Sequence, residues 1–434
     1  MKIYIHTLGC KVNQYESQAM GTLLEEQGHE LLPTAFGSDA IIVNTCAVTA
    51  ESVRKSRQAI NHLRSESPGA IIAVCGCWPQ AEPEEARKIG ADILYGSGSK
   101  KELVKSITTA YEGKAQEENI DKVFSRRVFE ELPAGSPMSR TRALLKIEDG
   151  CANFCTYCII PYARGAVRSL EMETAAKQAR KLMDEGYKEI VLTGIEIASY
   201  GRDLAGKPTI QDVICAIAEN ALGCRIRLGS LEPRCITEEF CRKLSALDNI
   251  CDHFHLSLQS GCDETLRRMN RKYDTARFYE SVELLHRFFP NCGITADLIT
   301  GFPGETEEEF KKTLDFLEKC RFSHVHIFPY SVRHGTPAET MPDQVPKSVK
   351  HARAKAAAAV AGKTEEDFLD NQRGRTLPVL FEQEEEDGVW LGHTPNYLLV
   401  RASGQNLKNR IFDVLVTGRE NGDLLGKIQN FTKI

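Results

Sequence analysis

Ala40-Ile41-Ile42-Val43-Asn44-Thr45-Cys46 is a short apolar strand that ends in a cysteine, and a helical stretch from about Ala50 to Arg64 follows it. The same unit recurs on either side. Ile3-Tyr4-Ile5 opens a strand, with Leu8-Gly9-Cys10 behind it and a helix from Asn13 to Gln27 that ends at Gly28. Ala70-Ile71-Ile72-Ala73-Val74 is a third strand, with Cys75-Gly76-Cys77 at its end and a helix near Glu82 to Lys88. Ile93-Leu94-Tyr95 is a fourth, followed by a helix from Lys100 to about Tyr111. Strands separated by helices imply right-handed crossovers and a parallel sheet.

Residues 112 to 140 are polar, carry Gly113, Pro133, Gly135 and Pro137, and read as a linker. Alternation resumes from Leu144 to about Tyr330, at Ile190-Val191-Leu192, Ile226-Arg227-Leu228, His253 to Leu258, Ile294 to Ile299 and His324 to Phe328. Five or six βα units in about 190 residues predict a partial (β/α) barrel, smaller than the ~250-residue eightfold form. Residues 347 to 372 read as a basic-then-acidic helix. From Arg373 onward, short strands (Leu377 to Phe381, Tyr397 to Val400, Ile411 to Val416) between turn residues predict a small β-barrel. The expected fold class is α/β in three parts. These are an N-terminal parallel-sheet domain (1–111), a central partial (β/α) barrel with a trailing helix (141–370) and a C-terminal β-barrel (371–434).

The 434 residues are 42% hydrophobic and 26% charged, a globular balance that excludes a mainly disordered or collagen-like chain. No run approaches the ~18 apolar residues of a membrane helix. Met1-Lys2-Ile3-Tyr4-Ile5-His6 is too short and too soon interrupted for a secretory signal, so a cytoplasmic protein is expected. A net charge of −5 argues against bulk electrostatic binding of nucleic acid, so any such contact must be local. Fifteen cysteines cannot all pair within one chain, and clustered free thiols suggest metal binding or catalysis.

Cys151-Ala152-Asn153-Phe154-Cys155-Thr156-Tyr157-Cys158 places three cysteines within eight residues. Thiolates are the usual ligands of iron–sulfur clusters, and no fourth Cys or His lies nearby to complete a zinc knuckle. Three thiolates on a four-iron cluster leave one iron open to a substrate's donor atoms. The alternative is three buried cysteines in a loop. Cys10, Cys46 and Cys77 each follow a strand of the N-terminal sheet, and the carboxyl ends of parallel strands share one edge, where ligands bind. They predict a second three-thiolate site, against the alternative of small apolar thiols ending strands. Cys77 is preferred to Cys75 because Gly76-Cys77 repeats Gly9-Cys10, where glycine lets the backbone approach a bulky ligand.

Cys151 to Gly165, CANFCTYCIIPYARG, with Arg168-Ser169, resembles the cluster loop of the methylthiotransferase branch of radical S-adenosylmethionine enzymes. Further matches follow in the family's order: Leu192-Thr193-Gly194, Ser230-Leu231-Glu232-Pro233, His255 to Gly261 (HLSLQSG), Arg268 to Tyr273 (RMNRKY) and Asp297 to Thr306 (DLITGFPGET). Gly392 to Tyr397 (GHTPNY) resembles the TRAM domain, a small RNA-binding β-barrel. Thr7 to Gln14 (TLGCKVNQ) is similar to the subfamily that acts on N6-threonylcarbamoyladenosine at position 37 of tRNA. Relatives acting on isopentenyladenosine usually show glutamine and methionine after that cysteine, and those acting on a ribosomal protein aspartate show proline and lysine. Glu196, Ala198 and Pro79 depart from the usual asparagine, glycine and alanine.

The resemblance implies replacement of adenine C2–H by C2–SCH3. An aromatic C–H is not acidic enough for His or Glu to deprotonate, so a cofactor must carry the step. One [4Fe–4S] cluster on the catalytic set Cys151, Cys155 and Cys158 is implied to bind S-adenosylmethionine, and a second, on Cys10, Cys46 and Cys77, to supply sulfur. The implied partners are tRNA and an electron donor such as a flavodoxin or ferredoxin, with no membrane. Tyr157 is expected either to stack on the adenine of S-adenosylmethionine or to pack the cluster loop on the barrel. Thr193, Gly194, Glu196, Ser230, Glu232, Ser257 and Gln259 lie at or near strand ends and are expected to contact S-adenosylmethionine. Polar groups there serve equally to satisfy barrel backbone. Gly301 to Gly304 reads first as a tight turn and second as a pocket wall. Arg126, Arg127, Arg164 and Arg168 are candidates for tRNA phosphates, or else solvated. Two other readings stand beside this one. The first keeps the radical chemistry on N6-isopentenyladenosine of tRNA or on a ribosomal protein side chain. The second is a noncatalytic iron–sulfur RNA-binding protein, which would form no 5′-deoxyadenosine.

Overall fold

A computed structural model describes residues 1–113, 117–135, 141–386 and 388–431. The N-terminal strands are β1 (Lys2–Thr7), β2 (Glu30–Leu31), β3 (Ala40–Thr45), β4 (Ile71–Gly76), β5 (Ile93–Tyr95) and β6 (Glu117–Asn119). They form one parallel sheet in the order β2-β1-β3-β4-β5-β6. Between them run α1 (Lys11–Glu26), α2 (Ala50–Glu66), α3 (Cys77–Ala81), α4 (Pro83–Arg87) and α5 (Lys100–Tyr111). Every residue of β3 is buried, as a central strand covered on both faces requires. Its alternation splits the core. Ile41 and Val43 pack with Ile72, Val74 and Trp78, whereas Ala40 and Ile42 pack with Ala73, Ile93 and Leu103.

Parts of the stretch read as a linker pack against the two units, while Phe124 and Val128 within it are exposed. Glu117–Asn119 pair with β5 as an edge strand through backbone and polar side chains, Tyr95 Oη donating to Glu117 at 2.6 Å, which leaves no apolar alternation to read. Phe129 and Leu132 are buried in the core of the central unit, and Tyr15 donates to the Leu132 carbonyl at 2.7 Å. Residues 114–116 and 136–140 of that stretch lie outside the described residues.

The central unit has β7 (Arg142–Lys146), the short antiparallel pair β8 (Glu148–Asp149) and β9 (Arg168–Ser169), β10 (Glu189–Thr193), β11 (Arg225–Arg227), β12 (Ser230–Leu231), β13 (His253–Gln259), β14 (Gly293–Thr300) and β15 (His324–Pro329). Two parallel arcs, β11-β10-β7 and β12-β13-β14-β15, are joined where Ile226 bridges Ile250. The helices are α6 (Ile160–Arg164), α7 (Met172–Asp184), α8 (Ile210–Asn220), α9 (Glu238–Ser245), α10 (Asp263–Arg268), α11 (Thr275–Phe288), α12 (Glu307–Cys320) and α13 (Lys347–Asp370). This is a partial (β/α) barrel with a trailing helix, and helix α1 of the first unit packs beside β7.

At the C-terminus, β16 (Thr376–Glu386), β17 (Val389–His393), β18 (Leu399–Ser403), β19 (Arg410–Glu420) and β20 (Asp423–Phe431) close into a barrel in the order β16-β17-β18-β20-β19. The sequence pattern predicts only three of these strands. β17 and β20 interleave glycine and polar residues with their apolar ones, and barrel closure rather than local pattern fixes them. Among the described residues no helix is long and apolar enough to cross a membrane.

Candidate active site

Strands β1, β3 and β4 are neighbours, so their carboxyl ends lie side by side. Cys10 sits at the start of α1, Cys46 just beyond β3 and Cys77 at the start of α3. The three thiols act on one another electrostatically. Asn13 staples two of the loops: its Nδ2 donates to the carbonyls of Leu8 at 3.0 Å and Thr45 at 2.8 Å. Cys75 lies in the opposite core layer with Ala73 and Ile93, so alternation along β4 turns it away from Cys10 and Cys46. Gly9 and Gly76 both have positive φ, at 108° and 105°. The close neighbours that require glycine are protein: a Cβ on Gly9 would lie 2.8 Å from Cys46 Cβ, and one on Gly76 2.4 Å from the Thr45 carbonyl oxygen. The expected reason, room for a bulky ligand, is replaced by room for the adjacent strand's loop.

The second triad occupies the loop between β8 and α6. Its thiols also act on one another, and Cys158 feels Cys77 across the two units. The loop is held from outside. Asn270 Nδ2 donates to the Phe154 carbonyl at 2.9 Å, Thr156 Oγ1 to the Arg268 carbonyl at 2.8 Å, and Arg271 Nη1 to Cys155 Sγ at 3.1 Å. The Arg268 to Tyr273 segment is therefore the clamp of the cysteine loop, a role its sequence does not announce. On the far side Ile159 and Ala163 enter the core of the N-terminal sheet, which fixes the two units to each other.

Arg164, at the end of the helix that follows the loop triad, reaches the sheet triad. Its side chain is fully buried, its Nε donates to Cys77 Sγ at 3.3 Å, its Nη2 donates to Asn13 Oδ1 at 3.1 Å, and its guanidinium pairs with Glu16. Lys146 Nζ lies 3.0 Å from Glu16 Oε1 and 2.8 Å from Asp149 Oδ2, and Arg168 reaches Asp149 at 3.3 Å. Burial alone raises the Glu16 carboxyl, but Arg164 and then Lys146 hold it down to about 2. Arg164 and Arg168 are consequently not tRNA phosphate contacts, because both are buried in this network. Arg126 is committed to Asp121, and only Arg127 of the four is exposed.

The donor sets fit iron–sulfur clusters. Burial pushes the Cys77 and Cys158 thiols up to about 12 and Cys151 well above the usual range, so none ionises at neutral pH without a metal to bind it. Each triad also has a guanidinium aimed at one sulfur, which suits an anionic group there. The buried network around Arg164 holds three cations (Arg164, Lys146, Arg168) against two carboxylates (Glu16, Asp149), a surplus that an anionic group on Cys77 would offset.

The residues expected to contact S-adenosylmethionine divide into groups. Thr193, Gly194 and Ser230 line a cavity of about 770 Å³ between the central barrel, Cys10–Val12 and the C-terminal barrel. Glu196 and Glu232 lie near each other. Burial first, then Glu232, raises the Glu196 carboxyl to about 7, and its Oε1 is buried without a partner. Gln259 has φ of 65° at the bulge of β13, and the Ser257 carbonyl accepts from Tyr273 and Arg271. Tyr157 packs edge-on against Phe302, the centroids 6.4 Å apart, so the Gly301 to Gly304 turn also walls the loop. Side chains that sequence reasoning gave no role also line the cavity. His255 Nε2 meets Asp297 Oδ2 at 3.1 Å, and His326 stands beside them.

Comparison with known proteins sets this site in a family. Residues 145–317 match the Radical SAM superfamily and residues 2–96 match Uncharacterized protein family UPF0004. Threonylcarbamoyladenosine tRNA methylthiotransferase MtaB of Bacillus subtilis is 39% identical over 93% of this chain and 90% of its own length. The tRNA-2-methylthio-N(6)-dimethylallyladenosine synthase of Pelotomaculum thermopropionicum is 33% identical over 98% of this chain and 97% of its own. In fold, the chain is similar to the radical S-adenosylmethionine methyltransferase TsrM of Kitasatospora setae. The TM-score is 0.54 at 16% identity, over 78% of this chain and 75% of that one. The chain belongs to the radical S-adenosylmethionine tRNA methylthiotransferases, in their MtaB-like branch. It is a sulfur-group transferase that works by radical chemistry, which implies one [4Fe–4S] cluster and S-adenosylmethionine and removes the noncatalytic alternative.

Proposed function

We propose that this enzyme converts N6-threonylcarbamoyladenosine at position 37 of tRNA to its 2-methylthio derivative, with two [4Fe–4S] clusters. The observation that carries the proposal is the closeness of the two cysteine triads, Cys77 acting on Cys158 across the two units, beside a cavity that Cys10 lines. Cys151, Cys155 and Cys158 would hold the cluster that cleaves S-adenosylmethionine to a 5′-deoxyadenosyl radical, and Cys10, Cys46 and Cys77 one that supplies sulfur. The chain's own residues do the positioning. Arg271 and Arg164 each donate to a ligand sulfur, Thr193, Gly194 and Ser230 hold S-adenosylmethionine from the cavity wall, and Asn396 to Leu399 cover the cavity from the C-terminal barrel. Tyr157, Glu196, Glu232, Ser257 and Gln259 complete the proposed contacts. The choice of the threonylcarbamoyl substrate is supported by Thr7 to Gln14 and by the 39% identity to the relative of that name. The electron comes from a flavodoxin or ferredoxin, and the enzyme works in the cytoplasm.

Two measurements test this. Anaerobic reconstitution should give about eight irons and as many sulfides per chain, and about four in the Cys151, Cys155, Cys158→Ala variant. Four in the parent and none in the variant would withdraw the second cluster. Nucleosides from a deletion strain should lack 2-methylthio-N6-threonylcarbamoyladenosine while the methylthiolated dimethylallyl nucleoside persists. The reverse would assign the other relatives' substrate.

A further inference from the structure

Lys11 directly follows Cys10 and is exposed at the boundary of two cavities. It lines the one of about 770 Å³ with Thr193, Ser230 and His255, and a neighbouring one of about 490 Å³ with Arg142 and Arg227. Both volumes are within the usual range for small-ligand sites. Lys408 lines only the smaller cavity, and the two arginines there are engaged. Arg142 pairs with Glu382 at 3.1 Å, and Arg227 meets both oxygens of Glu189 at 2.7 and 2.9 Å. The carboxylates on the larger cavity's wall are engaged too: Asp297 with His255 at 3.1 Å, Glu365 with His324 at 3.0 Å and Asp423 with Arg401 at 2.7 Å. Among the described residues no carboxylate lies within ion-pair distance of Lys11. Among the described residues, one ammonium, that of Lys11, therefore faces the larger cavity without an anion.

We propose that Lys11 is an anion subsite that takes the carboxylate of the N6-threonylcarbamoyl group and so selects the modified adenosine. This rests on the substrate reading above. The reacting carbon is C2, and the N6 substituent lies on the same edge of the purine, reached through C6 and N1. A base whose C2 faces the sheet triad beside Cys10 would thus bring its N6 substituent towards the adjacent residue. A threonylcarbamoyl group carries a carboxylate there. A dimethylallyl group carries none and would cover the ammonium with hydrocarbon, which is unfavourable. The same lysine accepts one substrate and rejects the other.

The test uses reconstituted enzyme and anticodon stem-loops with N6-threonylcarbamoyladenosine, N6-dimethylallyladenosine or adenosine at position 37. Affinity and kcat/KM are measured for the parent, Lys11→Gln and Lys11→Arg, with iron and sulfide counted in each. The affinity ratio of the threonylcarbamoyl stem-loop to the adenosine one should fall about tenfold or more in Lys11→Gln and be largely kept in Lys11→Arg, as for a charge-assisted hydrogen bond. A ratio within twofold of the parent's overturns the proposal. So does an equal loss on all three RNAs, which would place the ammonium on a backbone phosphate. A stem-loop with its threonyl carboxylate methyl-esterified asks the same of the parent without a mutation, and should also bind about tenfold more weakly. If the parent itself methylthiolates the dimethylallyl RNA and not the threonylcarbamoyl one, the substrate reading fails, and it does so before any variant is made.

Discussion

The two cysteine triads reach similar arrangements by opposite routes. Cys151, Cys155 and Cys158 lie in one loop, and setting that loop's backbone is enough to gather them. Cys10, Cys46 and Cys77 come from three strand ends that meet only because β1, β3 and β4 are neighbours. A local constellation is written in spacing, whereas a distributed one is written in topology. The sharpest way to break the comparison is to remove each triad in turn and follow two products. Alanine at Cys151, Cys155 and Cys158 should abolish both 5′-deoxyadenosine and methylthiolated nucleoside, each by more than about a thousandfold, since the cofactor carries the hard step. Alanine at Cys10, Cys46 and Cys77 should abolish the methylthiolated nucleoside alone, with 5′-deoxyadenosine still formed. Chromatography of both products decides. A methylthiolated product from the second variant would mean that the sheet triad supplies no sulfur.

Next in size is the link between the triads. Glu16 holds Arg164 and Lys146 inside the interface of the two units. Glu16→Gln leaves those cations underpaired, and breaking a buried ion pair costs about 3–5 kcal/mol. The sign with pH follows from the depressed carboxyl. Its contribution is complete above the ordinary carboxylate value and is lost as pH falls towards about 2. Denaturant unfolding should therefore show parent and variant far apart at pH 6 and converging as pH falls below 4. A gap that does not change with pH would mean that Glu16 is not ionised in the fold.

That link also marks where sequence reading stopped. β3 was legible because a strand buried on both faces is apolar throughout, and Cys77 was separable from Cys75 because Gly76 repeats Gly9. β6 was not legible, since Glu-Glu-Asn carries no apolar alternation and pairs through backbone and polar side chains. Arg164 read as a surface cation because its partner Glu16 is 148 residues away. A signal did exist: Glu16 shares the buried stripe of α1 with Val12, Ala19 and Met20, where an unpaired charge would not be tolerated. Arg271 gave no such signal, as its contact with Cys155 spans 116 residues and is created by barrel closure.

The smallest effects separate the triads most finely. A glycine with positive φ precedes a cysteine three times, at Gly9, Gly76 and Gly150, with φ of 108°, 105° and 91°. A non-glycine residue held in such a conformation costs about 1–3 kcal/mol. The surroundings then differ. A Cβ on Gly150 would lie 2.0 Å from the Ala166 carbonyl oxygen and one on Gly76 2.4 Å from that of Thr45, both rigid backbone, whereas on Gly9 the nearest atom is the Cys46 Cβ at 2.8 Å. Gly9→Ala is thus the mildest of the three and acts on the Cys46 side chain itself. It should displace the sheet triad while leaving the loop triad intact, so reconstituted iron should fall towards half and 5′-deoxyadenosine formation should stay near the parent's. Gly150→Ala should do the reverse, losing 5′-deoxyadenosine together with the iron of the loop. If Gly9→Ala lost both together, the triads would be coupled through Arg164 strongly enough to assemble as one site.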